Sequence, residues 1–290
     1  MSKTPIITDP IILKADDWQD YQLLDSGHGR KLERFGSQIT DRPDPQAFWM
    51  PANPIETWKA DATFSASGDD ERGNWQKSRP NLPDDWKMGW NGLSFEVRRS
   101  PFRHLGVFQE HSVHWRHAQE KIRAAGRPIK LLNLFGYTGM MSLAAADAGA
   151  QVTHIDASPK SNGYGKANQE LSGIGEKPIR WIADDVLKFM RREVRRGNTY
   201  DAIVLDPPKF GRGPKNETWR LEENLPELLE LCRAVLSEQP LFVTSTVYAV
   251  RLSYLALAQS LRDHLEGLGG TITTGEMAIP EAGRDVLLPT

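Results

Sequence analysis

From Ile129 onward, apolar runs of strand length alternate with helical segments, and that alternation leaves few folds open. The runs are Ile129–Phe135, Gln151–Ile155, Ile179–Ile182, Asp201–Leu205 and Leu241–Thr244. Met140–Ala148, Lys160–Leu171, Val186–Arg195, Leu221–Leu236 and Leu252–Leu265 have helical length and fall between or after them. Strands alternating with helices build βαβ units, whose crossovers are right-handed and whose sheet is mainly parallel. Beyond the last helix, Thr271–Met277 and Asp285–Leu288 read as two strands with no helix between them, so an edge hairpin is expected.

The preceding part of the chain has a different character. Seven of the nine tryptophans (Trp18, Trp49, Trp58, Trp75, Trp86, Trp90 and Trp115) lie before residue 120, among polar, turn-rich stretches such as Ser67-Gly68-Asp69-Asp70-Glu71-Arg72-Gly73-Asn74. This composition predicts short strands and tight turns, a small β-rich module whose core is closed by large side chains. Within it, Trp90–Val97 looks like a hairpin turning at Asn91-Gly92, a pair that tolerates the positive φ of a two-residue turn. A chain of 290 residues suits two unequal domains. The expected division is a β-rich substrate-recognition module over 1–98 and a second domain over 99–290.

Composition removes several function classes. The one cysteine, Cys232, excludes an internal disulfide and any multi-cysteine metal site, and suits a reducing, cytoplasmic setting. No run approaches membrane-spanning length, and Met1–Asp9 lacks the charged-then-apolar pattern of a secretory leader. A formal net charge of −2 gives no global pull toward nucleic acid, so RNA contact would need a local patch. Two basic clusters offer one: Arg30-Lys31-Leu32-Glu33-Arg34, and Lys188 with Arg191, Arg192, Arg195 and Arg196. The second reads better as a solvated helix face. The first, expected in a turn near Phe35, Phe48 and Trp49, is better placed for substrate, with ring stacking on unpaired bases weighed against core packing. His104, His111, His114 and His117 suggest a metal, yet no carboxylate or cysteine completes a set, and no metal site is expected.

The chemistry-bearing residues gather at the carboxyl ends of the strands, where open α/β sheets bind ligands. The first strand runs into Asn133-Leu134-Phe135-Gly136-Tyr137-Thr138-Gly139. Glycines there let backbone approach a ligand closely. Their spacing is G-x-x-G, so the dinucleotide loop that cradles a pyrophosphate is missing, as is the Walker pattern. The second strand ends in His154-Ile155-Asp156, followed by Ala157-Ser158, a carboxylate suited to the two hydroxyls of a ribose. The third ends in Ala183-Asp184-Asp185-Val186, suited to an exocyclic amine. The fourth delivers Asp206-Pro207-Pro208-Lys209-Phe210. Each proline fixes its own φ and restricts the residue before it, which holds Asp206 extended at the tip. Taken singly, the glycines serve a turn, Asp156 and Asp185 cap helices, and Asp206 ends a strand. In this order on successive tips they describe an adenosine-containing ligand without phosphates, S-adenosylmethionine.

Lys130–Gly149, Asp156, Asp185 and Asp206–Phe210 resemble the class I S-adenosylmethionine-dependent methyltransferases. The D-P-P-K-F turn narrows the resemblance to the branch containing bacterial 23S ribosomal RNA methyltransferases. His104-Leu105-Gly106-Val107-Phe108-Gln109-Glu110 is similar to that branch's lead-in segment, which borders the cofactor. The resemblance implies a Rossmann-like α/β fold, with a seven-stranded mixed sheet, helices on both faces and the β-rich module before it. It implies an S-adenosylmethionine site lined by Phe108, Glu110, Asn133, Phe135, Gly136, Tyr137, Thr138 and Gly139. Asp156, Ala157 and Ser158 would serve the ribose, Asp184, Asp185 and Val186 the adenine, and Asp206 would face the methyl group. Phe210 would stack on or border the target, and RNA, ribosomal above all, is the implied partner.

The chain departs from the branch in two ways. Members that methylate cytosine C5 add a cysteine to the ring, whereas the matching stretch here is Thr244-Ser245-Thr246-Val247. Cys232 lies at i+4 from Leu228 and i+3 from Leu229, on an apolar helix stripe that predicts a buried, inert thiol. Direct transfer, without a covalent cysteine adduct, is therefore expected. Nothing in Met1–Arg98 matches the RNA-binding PUA domain that some members carry. In direct transfer, Asp206 and its backbone carbonyl would orient a target amine, while Lys209 would either contact a phosphate or point to solvent. The readings left open are a protein or small-molecule acceptor, a non-catalytic cofactor-binding scaffold, and a nicotinamide dehydrogenase, which would need the missing G-x-G-x-x-G loop.

Overall fold

The computed structural model describes residues 4–67, 69–248 and 252–290. Two short strands come first, Ile6–Ile7 (β1) and Ile11–Lys14 (β2). Five more form a sheet in chain order: β3 (Tyr21–Gly27), β4 (Arg30–Phe35), β5 (Gln38–Pro43), β6 (Ala62–Ser67) and β7 (Asp69–Lys77). All its neighbours pair antiparallel except β5 with β6. The expected hairpin is present as β8 (Asp85–Trp90) and β9 (Leu93–Arg98). It turns through Asn91 at φ 46° and Gly92 at φ 84°, the left-handed pair that matches strand twist. Leu93, Phe95 and Val97 of β9 point inward on alternate positions. The tryptophans close this core and also tie it together. Trp18 Nε1 donates to Gly89 O at 2.6 Å and Trp86 Nε1 to Phe35 O at 2.8 Å, as a buried indole N–H requires.

The alternation then begins with α1 (Ser112–Ala124), β10 (Lys130–Leu134), α2 (Met140–Asp147), β11 (Gln151–Asp156), α3 (Pro159–Leu171), β12 (Ile179–Ala183) and α4 (Val186–Arg196). It continues through β13 (Ala202–Leu205), a small hairpin of β14 (Phe210–Arg212) and β15 (Thr218–Arg220), α5 (Leu221–Val235), β16 (Phe242–Ser245) and α6 (Tyr254–His264). The strands form one parallel sheet in the order β12-β11-β10-β13-β16. Leu131, Leu132 and Leu134 of β10 and all four residues of β13 are buried, as central strands covered on both faces must be. Phe189 and Met190 of α4 and Leu228, Leu229 and Val235 of α5 pack on Leu134, Ile203 and Leu205. The order runs outward from β10 in one direction, then restarts with β13 on its other side. Right-handed crossovers therefore place the connections on opposite faces and open a crevice between β10 and β13.

The strand count needs correction. Among the described residues five strands, not seven, are hydrogen-bonded in this sheet. The C-terminal hairpin forms, as β18 (Gly275–Pro280) antiparallel to β19 (Leu287–Pro289), but its free edge pairs with β2. Ala15 N donates to Ala278 O at 2.9 Å, while a further short strand, β17 (Thr271–Ile272), runs parallel to β1. The N-terminal strands thus satisfy the edge that was expected to join the main sheet. Gly275 permits the crossing, since a Cβ there would lie 2.1 Å from Ile11 O.

The chain falls into two compact units. A β-rich unit contains Ile12–Val113, Leu171–Gly173 and Glu276–Thr290; a sheet unit contains the chain up to Ile11, His114–Glu170 and Ile174–Gly275. The division expected at 98/99 lies instead at 113/114, because the segment after Arg98 stays tied to the β-rich core. Arg99 Nη1 donates to Gln38 Oε1 at 2.5 Å, and Gln109 Nε2 to Glu33 Oε1 at 3.3 Å. Among the described residues no helix is long and apolar enough to cross a membrane.

Candidate functional site

Register aligns the strand tips of the sheet unit. Leu134 pairs with Ile155 on one side and with Leu205 on the other, and Leu205 pairs with Ser245. Backbone bonds continue the alignment past the strands. Gly136 N donates to Ile155 O at 3.0 Å, Asp184 N to Asp156 O at 3.2 Å, Asp206 N to Leu134 O at 3.4 Å and Thr246 N to Leu205 O at 3.0 Å. The expected sheet-unit residues therefore share one edge of the sheet, centred on the crevice at β10 and β13.

The loop after β10 is wound tightly. Phe135 and Tyr137 have φ 57° and 49°, and Gly139, which caps α2, has φ 88°. Two non-glycine residues in the left-handed region cost about 1–2 kcal/mol each, the kind of strain that marks a functional turn. The glycines serve packing more than the sequence suggested. A Cβ on Gly136 would lie 2.3 Å from the His154 ring, and one on Gly139 2.5 Å from Trp181. Their bare backbone lets the loop settle onto β11 and β12. Asn168 Nδ2 donates to Thr138 O at 3.3 Å, and Asn133 Nδ2 to Ser142 Oγ at 2.9 Å, so the loop is also held from α3 and from below. Ser142 Oγ lies 2.9 Å from His154 Nδ1. Burial lowers the His154 pKa to about 3, so the ring is neutral and a single proton is shared between Nδ1 and the Ser142 hydroxyl.

Asp156 ties the next tip to this loop. Its Oδ2 accepts from Tyr137 N at 2.9 Å and its Oδ1 from Ser158 N at 2.8 Å. Burial raises its pKa, against the lowering effect of those two amides. Ser158 Oγ in turn accepts from Ser161 N at 3.1 Å, in front of Pro159 at the start of α3. At the third tip, Asp185 caps α4, its Oδ1 accepting from Lys188 N at 2.9 Å. Asp184 accepts from Asp185 N at 2.8 Å and pairs with Arg192, so its carboxylate serves the loop itself. Val186, the first residue of α4, is buried.

The Asp206–Phe210 turn is anchored by its carbonyls. Pro208 O accepts from Trp219 Nε1 at 2.6 Å, and Lys209 O from Leu221 N at 3.0 Å. Asp206 is partly exposed, Pro207 is buried, and Lys209 faces solvent. Phe210 is 53% exposed, with the Arg212 guanidinium 5.5 Å from its ring centroid. The β14–β15 hairpin and Trp219 were not visible beforehand. The only sequence signal was Gly211, Gly213 and Pro214 between two aromatics, which marks a turn but no pairing.

Phe108 and Glu110 belong to the β-rich unit, Phe108 flanked by His104 and His111 at ring distances of 5.6 and 6.1 Å, and Glu110 in the single turn Gln109–His111. The first basic cluster lies on strand β4 rather than in a turn, and its cations are engaged. Lys31 pairs with Asp44 at 3.0 Å and Arg30 with Asp41 at 2.7 Å. Phe35 is fully buried and Trp49 Nε1 donates to Ser26 Oγ, while Phe48 is exposed. In the second cluster, Arg191 pairs with Glu227 and Arg196 with Glu193 on α4. Cys232 is buried in α5 and its thiol is pushed up to about 12 by burial, in keeping with an inert side chain.

The donor set suits S-adenosylmethionine. Residues 133–139 contain no Lys or Arg to neutralise a pyrophosphate, whereas the tips offer carboxylates to a ribose diol, an amine and a cationic sulfonium. The family model of S-adenosylmethionine-dependent methyltransferases matches residues 67–238, well over half of the chain and all four tips. The crystal structure of a SAM-dependent methyltransferase from Agrobacterium tumefaciens is similar throughout, with a TM-score of 0.95 and 44% identity, covering 100% of this chain and 94% of that one. Ribosomal RNA large subunit methyltransferase K of Neisseria meningitidis is 31% identical over 133 residues, 46% of this chain and 36% of the relative. Ribosomal RNA large subunit methyltransferase I of Klebsiella pneumoniae is 34% identical over 105 residues, 36% of this chain and 24% of the relative. The matches thus span between about a quarter and just over a third of these curated relatives' length. A wound glycine loop, a carboxylate bonded to its backbone and a proline-locked acidic tip at one switch point agree with the family match: the chain is an enzyme belonging to the S-adenosylmethionine-dependent methyltransferases.

Proposed function

We propose that this methyltransferase modifies a base of RNA, ribosomal RNA in the first instance, by direct transfer and without a covalent cysteine adduct. The observation that carries this reading is the Asp206–Phe210 turn, bonded to the tip of β10 through Asp206 N and Leu134 O. The two curated relatives above are named for the large ribosomal subunit RNA, and this chain shares with them the methyltransferase part. Cys232 is buried, and the β16 tip carries Ser245, Thr246 and Val247 where a C5 enzyme would need a thiol.

The Gly136–Gly139 loop would hold the methionine end of the cofactor, Asp156 with Ala157 and Ser158 the ribose, and Asp184–Val186 the adenine. When bound, S-adenosylmethionine supplies a methyl group on a positively charged sulfur. Asp206 accepts a hydrogen bond from the acceptor's N–H, aims its lone pair along the line of displacement, and takes up the proton released. The exposed Phe210 ring offers a stacking face to an unpaired base, and Lys209 a cation to a neighbouring phosphate. A single cysteine suits work in the reducing cytoplasm.

The test is transfer of labelled methyl from S-adenosylmethionine into total RNA, total protein and the small-molecule pool of cells lacking the gene. Label in RNA, lost at least about 100-fold in Asp206→Ala, is the expected result. A protein or small-molecule acceptor is the second reading, favoured by the pairing of Arg30 and the burial and pairing of Lys31. Label confined to either of those fractions would establish it.

A further inference from the structure

Within the sheet unit, Trp219 touches both the cofactor loop and the acceptor turn. Its ring packs on Phe135 with centroids 4.8 Å apart and planes at 59°. Its indole N–H donates to Pro208 O at 2.6 Å. Phe135 is the first left-handed residue of the loop, and Pro208 is the middle of the acidic turn. Trp219 itself is only 5% exposed, and the register Gly211↔Trp219 folds the hairpin back so that the indole reaches this place.

Two proline rings in succession remove the N–H groups by which a turn is usually fixed. Across the two prolines only carbonyls can hold the turn, and Trp219 Nε1 takes that of Pro208 while Leu221 N takes the next, that of Lys209. Phe135 has the converse problem. Its backbone conformation costs energy, and its ring must be gripped for the loop to keep its shape. One rigid indole meets both needs.

We propose that Trp219 is a positioning residue that sets the spacing between methyl donor and methyl acceptor. The inference rests on the methyl-transfer reading above. Its ring face fixes the donor loop, and its N–H fixes the acceptor turn. Displacement between reacting groups by about 1 Å is enough to slow a reaction by about 100-fold, so the two contacts have separable consequences.

Trp219→Phe keeps a face for Phe135 and removes the N–H. In this variant kcat falls by about 10- to 100-fold, while the dissociation constant for S-adenosylmethionine and the melting temperature stay close to wild type. Phe135→Leu, with Trp219 intact, weakens cofactor binding in preference to kcat. Cofactor affinity is read by titration calorimetry and turnover on whichever fraction the wild type labels. An unchanged kcat in Trp219→Phe overturns the proposal, as does a parallel loss of kcat, affinity and melting temperature. Should the wild type bind cofactor but label no fraction, the acceptor assignment fails on its own, and hydrogen exchange decides the role of Trp219. Faster exchange at Lys209, Phe210 and Gly211 in Trp219→Phe, with cofactor affinity retained, supports it; exchange equal to wild type overturns it.

Discussion

Asp156 shapes the loop through one carboxylate, whose two oxygens accept backbone-amide bonds, and in the function proposed above the same oxygens serve a ribose. Burial holds its pKa above the ordinary 3.8. Cofactor affinity should therefore fall on acidification at a pH above 3.8, as the carboxylate protonates and loses acceptor capacity; a calorimetric pH series checks this. Gly136→Ala should destabilise the protein by about 1–3 kcal/mol, because its Cβ has no room beside the His154 ring, and should weaken cofactor binding; a urea melt beside a titration separates the two effects. Which residues stand at the tips was legible from the sequence, because strand ends and turn formers are local signals. What the glycines and acids touch was not. Gly136 and Gly139 read as openings for a ligand, yet the space a side chain would take is filled by His154 and Trp181, which come from strands further along the chain.

At the scale of elements, β11 carries a titrating group within a buried polar chain. His154 has a folded pKa of about 3 against an ordinary 6.5, so between those values the unfolded state binds more protons than the folded one. Stability therefore falls as pH drops below 6.5. From this group alone, about 1–2 kcal/mol is lost between pH 6.5 and 5. Urea unfolding across that range should show a shallower pH slope in His154→Gln than in wild type. The five parallel strands were readable because each is a largely apolar run of strand length set off by helical segments. The C-terminal hairpin was readable too, but its partner was not. Ile11–Lys14 is a four-residue strand with little pattern, and only its backbone pairing with β18 shows where that hairpin belongs. The β14–β15 hairpin was hidden for a similar reason, each of its strands being three residues long.

At the scale of the whole molecule, the chain divides its work between a β-rich unit and a sheet unit. The sheet unit carries the strand tips and the Asp206–Phe210 turn proposed to hold cofactor and acceptor. The β-rich unit buries charges inside itself: Glu33 is fully buried, with Arg42 at 2.6 Å and Tyr21 Oη at 2.8 Å. Removing one member of such a set leaves a charge uncompensated, so Glu33→Ala should cost about 3–5 kcal/mol in unfolding free energy, read by denaturant melts. The composition break near residue 120 located the change of architecture, but a contact between Gln109 and Glu33 lies 76 positions apart and cannot be seen in composition. The central claim is that the tips of β10, β11, β12 and β13 together form an S-adenosylmethionine site rather than a dinucleotide site. Calorimetric titration of the wild type and of Asp156→Ala, with S-adenosylmethionine and NAD in parallel, tests it most directly. One molecule of S-adenosylmethionine should bind the wild type, with affinity at least about 10-fold weaker in Asp156→Ala and no heat from NAD. Binding of NAD, or S-adenosylmethionine affinity indifferent to the loss of Asp156, would contradict it.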